Sequence, residues 1–183
     1  MQLNDTDETF GLVSISFHWL LAVLIIAMIS MGIYLEELER GPEKFELIGI
    51  HKSIGAIILI LVALRVIWRL FQRFPEPAGT PRDWEHKLAR AWHILVLAVI
   101  FVVPLSGYVS SSSGGYPVSV FGLFNLPAIA PVDKSLHEIA EEVHEFTGIL
   151  LIPLIMLHAA ASLKHHYWDK DTTLRRMVGL SEA

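Results

Sequence analysis

Four long apolar stretches constrain this chain more than any other feature, because each is long enough to cross a lipid bilayer. The first has no charged residue from Thr9 to Leu35, and the last has none from Phe146 to Leu163. About 20 apolar residues in a helix span the hydrocarbon core of a membrane. The composition, 53% hydrophobic and 18% charged, fits one compact membrane unit. The sequence therefore predicts an all-α, integral-membrane four-helix bundle with spans at about residues 14–35, 47–71, 92–109 and 136–165.

Turn residues and charges identify the connections between the spans. Glu36–Glu46 is a short charged connection that contains Gly41 and Pro42 as turn residues. Pro75–Pro81 ends the second span. Ser110–Pro131 is uncharged and rich in Ser, Gly and Pro, so we expect a loop at the membrane interface or over the mouth of the bundle.

The distribution of basic residues predicts an orientation. Cytoplasmic loops of membrane proteins carry an excess of Lys and Arg. Of the fourteen Lys and Arg residues, ten fall on the side that holds the 65–90 connection and both termini: Arg65, Arg69, Arg73, Arg82, Lys87, Arg90, Lys164, Lys170, Arg175 and Arg176. We therefore expect both termini to be cytoplasmic.

The residue inventory excludes several kinds of site. The chain has no Cys, which rules out disulfides, thiolate metal sites, iron–sulfur clusters and thioether-attached haem. The net charge is -5 and no basic stripe is present, so nucleic acid is not an expected partner. Nine His residues remain as candidate metal ligands.

Two histidines of the fourth span define the candidate site. His144 and His158 are fourteen residues apart, so on a helix they share one face and lie about 21 Å apart along the axis. His18 opens the first span at the depth of His158, and His51 lies near the start of the second span at the depth of His144. Bis-histidine ligation of haem in a helix bundle needs two imidazoles from two helices at one depth. The pairs His18/His158 and His51/His144 are therefore predicted to be the axial ligands of two haem irons.

The remaining histidines have a simpler interpretation as interfacial or hydrogen-bonded residues. They are His86, His93, His137, His165 and His166. His137 competes most directly, because it precedes His144 by seven residues on the same face, but its surroundings are polar. Glu141-x-x-His144 also resembles half of a carboxylate di-metal motif, but no second Glu-x-x-His accompanies it.

The segments around the four candidate ligands resemble the bacterial cytochrome b561 family. They are Ile15–Trp19, Ile50–Gly55, Val143–Gly148, and Leu157–Ala161 followed by Lys164–Lys170. The resemblance covers nearly the whole chain and extends to Phe121–Leu123, Leu126–Pro127 and Leu174–Met177. It implies a single cytochrome b membrane domain over residues 1–183, in the bacterial inner membrane. It also implies two non-covalent haem b groups bound by His18, His51, His144 and His158.

The family resemblance implies quinone-linked electron transfer, and one class of members oxidises superoxide on the periplasmic side while reducing ubiquinone. Two functions stay open. The protein is either an oxidoreductase that passes electrons from a small-molecule or protein donor to quinone, or a haem-carrying anchor and electron-transfer subunit of a larger dehydrogenase or hydrogenase complex. Membrane lipid and quinone are the other expected partners.

Charges at the two ends bear on these substrates. The predicted periplasmic connections carry ten acidic and four basic residues, a balance of -6 that repels a small anion such as superoxide. Superoxide is therefore expected as a donor only if a basic residue lies over the haem edge, the candidates being Arg40, Lys44 and Lys52. At the cytoplasmic end, three side chains are candidates to hydrogen-bond a quinone head group or relay its protons: Lys164, His165 and His166.

Overall fold

Four long helices form the structure, a computed structural model that describes residues 2–73, 75–76, 78 and 83–180. The helices are α1 (Leu12–Glu37), α2 (Pro42–Leu70), α3 (Asp83–Ser113) and α4 (Lys134–Lys164). A π-helical turn (His165–Asp169) continues α4, and a short helix, α5 (Thr173–Met177), follows it. All four long helices are long and apolar enough to cross a membrane. The predicted helical, multi-pass membrane architecture is confirmed.

The helices extend beyond the apolar spans that define them in the sequence. The third shows this best, because α3 begins at Asp83 and ends at Ser113 whereas its apolar span covers about residues 92–109. Hydropathy detects only the part of a helix inside the hydrocarbon, and polar turns continue it on both sides. Pro104 and Pro153 lie inside α3 and α4, where neighbouring helices make such residues tolerable.

Local sequence explains where two of the helices begin. Pro42 occupies the first turn of α2, where its missing N–H costs nothing, and Glu43 beside it complements the helix dipole. Asp133 caps α4, because its carboxylate accepts a 2.8 Å hydrogen bond from the Leu136 N–H.

The bundle core receives buried side chains from all four helices. Its buried members are Leu21, Ile25, Ile58, Val62, Val99, Ile100, Leu151 and Leu154. The outward faces are also apolar, and Val23 and Met156 are 65% and 67% exposed. An apolar surface of this kind is stable when lipid covers it, which agrees with the membrane-spanning character of the helices.

A β-hairpin lies within the segment 110–131, which the sequence indicates only as a loop. Its strands β1 (Val118–Val120) and β2 (Phe124–Leu126) pair antiparallel, with Val120 opposite Phe124. Phe121 at the turn has a φ of 50°, which is uncommon for a non-glycine residue. Its N–H donates a 3.0 Å hydrogen bond to Ser53 Oγ of α2, which fixes the hairpin to the bundle.

A buried carboxylate ties the N-terminal segment to α1 and α2. The Asp5 side chain has no exposed surface and lies 2.8 Å from Arg69 Nη1. It also accepts hydrogen bonds from the Gly11 N–H at 2.7 Å and the Ser14 hydroxyl at 2.9 Å. A buried charge with this many donors is satisfied, and removing it takes away the carboxylate that pairs with Arg69.

We therefore expect Asp5→Asn to lower the free energy of unfolding by about 2 kcal/mol, because charge-assisted hydrogen bonds are lost in a buried setting. Asp7→Asn is the matched control, since Asp7 pairs with Arg73 at 3.0 Å while both side chains are largely exposed. Exposed pairs contribute less than about 1 kcal/mol. Thermal unfolding in detergent measures both, and equal losses would contradict the role assigned to Asp5.

Candidate functional site

Three imidazoles from three helices meet at one end of the bundle, in a cluster that we call site A. The rings of His18 on α1 and His158 on α4 have centroids 6.1 Å apart. His93 on α3 packs edge-to-face against His158 at 5.3 Å. Its Nδ1 donates to the Ala89 C=O at 2.6 Å, which orients the ring. Site A thus holds two adjacent imidazoles, with ring planes tilted by 55°, and a third in contact with one of them.

An arginine completes site A. Arg65 of α2 is partly buried, and its Nη2 lies 3.4 Å from His18 Nδ1. A guanidinium has only donors, so His18 Nδ1 is the acceptor in this contact. A permanent positive charge therefore lies against the ring of a predicted ligand.

Two further imidazoles lie side by side towards the opposite end of α4, with ring planes at 82° to each other, at what we call site B. The rings of His51 on α2 and His144 on α4 have centroids 6.0 Å apart. His144 Nδ1 donates to the Val103 C=O of α3 at 2.7 Å. This bond fixes the neutral ring with its Nε2 free of a proton, which is the form that binds a metal.

Close approach of α3 to α4 at site B depends on Gly107. A Cβ placed on this residue would lie 2.9 Å from His144 Nδ1, which is closer than side-chain carbons pack. The His51 ring has a complementary feature, since its Nδ1 is buried without a hydrogen-bond partner among the described residues. Site B is therefore a tight cradle for two imidazoles.

The spacing of both pairs suits one metal ion per pair. An ion bound to one nitrogen of each ring, at about 2 Å per bond, holds two facing imidazole centroids about 6 Å apart. The four half-buried rings form the same pairs that the sequence predicts from depth in the membrane, His18 with His158 and His51 with His144. Their assignment as haem ligands stays a prediction.

His137 has polar partners away from the pairs. Its Nδ1 lies 2.9 Å from the Ser110 C=O and its Nε2 is 3.9 Å from the Glu141 carboxylate. The Tyr116 ring covers one side of it, with centroids 6.1 Å apart. These contacts account for His137 and for the Glu-x-x-His pattern without a metal.

The candidate quinone-site residues lie in a cluster beyond site A. Lys164 Nζ binds the Asp169 carboxylate at 2.7 Å, and His165 Nδ1 lies 2.7 Å from Asp171. Burial raises the pKa of Asp171, but hydrogen bonds from Thr173 and the His165 ring outweigh it, so the pKa lies below its usual range. The cluster is therefore a network of ion pairs and hydrogen bonds. His166 Nδ1 next to it is buried and makes no hydrogen bond within the described part of the chain.

Sequence reasoning missed two residues of site A. His93 opens the third span, so the depth argument that pairs His18 with His158 also places His93 at their level. Arg65 falls inside an apolar span, where an ionisable residue is by default a functional candidate. Both signals were present, but only the packed helices show that these side chains turn towards His18 and His158.

Comparisons with known proteins identify the family of this chain. The sequence model described as prokaryotic cytochrome b561 matches residues 9–180. The chain belongs to this family. It is 32% identical to cytochrome b561 homolog 2 of Escherichia coli K12, over 100% of this chain and 98% of that protein. It is 27% identical to cytochrome b561 homolog 1 of the same organism, over 92% and 96%. It is 28% identical to a probable superoxide oxidase, CybB, of Yersinia pestis, over 93% and 96%.

Family membership implies a membrane cytochrome with haem b, and the donor atoms of the two sites fit that group. Imidazole nitrogen is a ligand of haem iron, and each site offers two adjacent imidazoles from separate helices that would hold such a group. The Val103 carbonyl holds His144 in the metal-binding tautomer. With no Cys in the chain, thioether attachment of a haem is excluded.

We expect Gly107→Ala to weaken haem binding at site B by about tenfold or more, because the added methyl displaces His144 from the Val103 carbonyl. Gly148→Ala is the matched control, because Gly148 lies one turn after His144 on α4 and a Cβ added there would have no atom within 4 Å. Both substitutions raise helix propensity equally. The measurement is haem per polypeptide with the reduced-minus-oxidised spectrum, and equal haem content in the two variants would contradict the cradle.

Proposed function

We propose that the protein is a di-haem b cytochrome of the bacterial inner membrane that transfers electrons between a periplasmic-side donor and quinone. The observation that carries this proposal is the pair of adjacent imidazoles at each of two levels of α4, with centroids 6.1 Å and 6.0 Å apart. Haem, when bound, supplies one-electron oxidation and reduction. Family membership supports the cofactor, and the four apolar helices support the location.

In this proposal the protein holds and separates the two groups. His18 and His158 are the ligands at site A, and His51 and His144 are the ligands at site B. Leu151 lies between His144 and His158 along α4 and belongs to the buried core. The apolar core excludes water from the interior, so the two bound groups would be protected from side reactions with solvent.

The charge distribution supports an orientation with site A towards the cytoplasm. Site A includes the start of α1 and the last turns of α4, and the sequence connects these regions to both termini. The basic residues concentrated at this end fit the positive-inside rule. We assign both termini to the cytoplasm and site B to the periplasmic half of the bilayer.

The cluster beyond site A supports a quinone at the cytoplasmic side. His165 follows His158 by seven residues, which is about 10 Å along a helix. The side chains of Lys164, His165 and His166 offer donors and exchangeable protons to a quinone head group. A quinone that takes up two electrons also takes up two protons, so titratable groups are needed near this end.

A second candidate role is that of a haem-carrying anchor for a larger dehydrogenase or hydrogenase complex. The observation that favours it is the hairpin, where Phe121, Leu123 and Phe124 are 53%, 80% and 56% exposed. A catalytic partner at the periplasmic surface would cover such a patch. Co-purification after extraction in mild detergent separates this role from the stand-alone one.

The haem content tests the main proposal. We expect two non-covalent, six-coordinate, low-spin haems per polypeptide, released by acid–acetone extraction. His51→Ala and His144→Ala each remove the same haem, and His18→Ala and His158→Ala each remove the other.

His137→Ala is the control and leaves both spectra unchanged, because its partners are Ser110 and Glu141. A haem-to-protein ratio near one, or loss of the same haem in His18→Ala and His144→Ala, would overturn the assignment.

Superoxide is a candidate donor on two grounds. One relative carries the name probable superoxide oxidase. The other is Lys52, which follows His51 directly and lies with its Nζ 5.3 Å from the Tyr116 ring centroid. Lys44 is less suited, since its Nζ donates to the Leu38 C=O at 2.8 Å. Lys52 is therefore better placed than Lys44 to attract an anion to site B against the acidic outer face.

If superoxide is the donor, Lys52→Gln slows reduction of the oxidised protein by at least about threefold, and the wild-type rate falls with ionic strength. Lys134→Gln is the control, because Lys134 is exposed and pairs with Glu138 at 3.5 Å. Stopped-flow reduction by superoxide measures these rates. Rates that are independent of salt and equal in the two variants would favour a membrane-dissolved or protein donor.

A further inference from the structure

Three arginines follow one another at four-residue intervals near the end of α2, and their charge compensation differs. Arg73 pairs with Asp7 at 3.0 Å and Arg69 pairs with Asp5 at 2.8 Å. Arg65 lies one turn deeper than Arg69, and no carboxylate among the described residues pairs with it. A guanidinium inside an apolar helix bundle is expensive without a counter-anion.

Arg65 contacts Nδ1 of the His18 ring. This contact is incompatible with the tautomer of His18 that usually binds a metal. Because the guanidinium can only donate, the neutral His18 ring that accepts at Nδ1 carries its proton on Nε2. A histidine that binds iron through Nε2 carries its proton on Nδ1. Two donors would then face each other, so the guanidinium has to find another acceptor when His18 binds the iron.

We propose that Arg65 binds a propionate carboxylate of the haem at site A, and so acts as a positioning residue for that haem. The inference rests on the proposed function, because it requires a haem between His18 and His158. Haem b brings two carboxylates to the site, and an arginine binds a carboxylate with two parallel hydrogen bonds. When the haem iron binds His18, Arg65 loses Nδ1 of that ring as its hydrogen-bond acceptor. The propionate of the same haem then provides a new acceptor for Arg65.

The test uses the full-length holoprotein with Arg65→Gln and Arg65→Lys. We expect the site A haem to pass to a haem-scavenging apoprotein at least about tenfold faster in Arg65→Gln, and Arg65→Lys to restore part of the retention. The reduced-to-oxidised ratio of this haem at fixed potential is expected to fall about tenfold in Arg65→Gln, or 59 mV for a one-electron couple. The unpaired carboxylate causes this fall, because its negative charge favours the oxidised state.

The haem at site B is the internal control, and its retention and potential stay unchanged. If both haems shift equally in Arg65→Gln and Arg65→Lys, the arginine has a general structural role and the proposal is wrong. If His18→Ala leaves both haems bound, the proposed function itself fails, which is a different outcome from loss of the Arg65 effect alone.

Reconstitution of apoprotein with the dimethyl ester of haem b identifies the anion. The ester has no charged propionate, so wild type and Arg65→Gln are expected to lose it from site A at equal rates. If Arg65→Gln still loses the ester about tenfold faster than wild type, the arginine binds another anion, such as a lipid phosphate, and the propionate assignment is overturned.

Discussion

The structure depends on the fact that an imidazole in the hydrocarbon has no water to bind, so its partners have to come from neighbouring helices. Helix α4 carries two such rings fourteen residues apart. Because α1 and α2 run in opposite directions, a histidine near the start of each falls at opposite ends of the bundle. His18 therefore meets His158, and His51 meets His144. The position of each histidine in its helix therefore determines its depth in the membrane.

Depth is also what the sequence predicts best. The bilayer fixes the length of each apolar span and the antiparallel order fixes its direction, so the four helices and the depth of each histidine follow from the hydropathy pattern. The direction in which a side chain points around its helix depends on how neighbouring helices interlock, and hydropathy does not contain that information. For this reason His93 and Arg65 were not assigned to site A, although the depth of His93 was available.

The hairpin and the π-helical turn are not predicted from the sequence, for a different reason. Strands of three residues have no detectable period, so the hairpin at 118–126 could be read only as a loop. Its position depends on Ser53, a helix residue 68 positions before Phe121, and such a long-range hydrogen bond leaves no local signal. The π-helical turn after α4 is similar, because it accompanies contacts among Lys164, His165 and Asp169 that form only when the turn does.

The arginines near the end of α2 differ in whether the chain itself provides a carboxylate to compensate their charge. The segment before α1 supplies both carboxylates, Asp7 for the exposed Arg73 and Asp5 for the deeper Arg69. Asp5 is held in place by the Gly11 N–H, immediately before α1 begins, so the segment reaches no further into the bundle. Compensation for Arg65 has to come from something other than the N-terminal segment. The haem propionate proposed as the partner of Arg65 would meet that need, and it would link the loading of site A to the electrostatics of the helix that forms one of its walls.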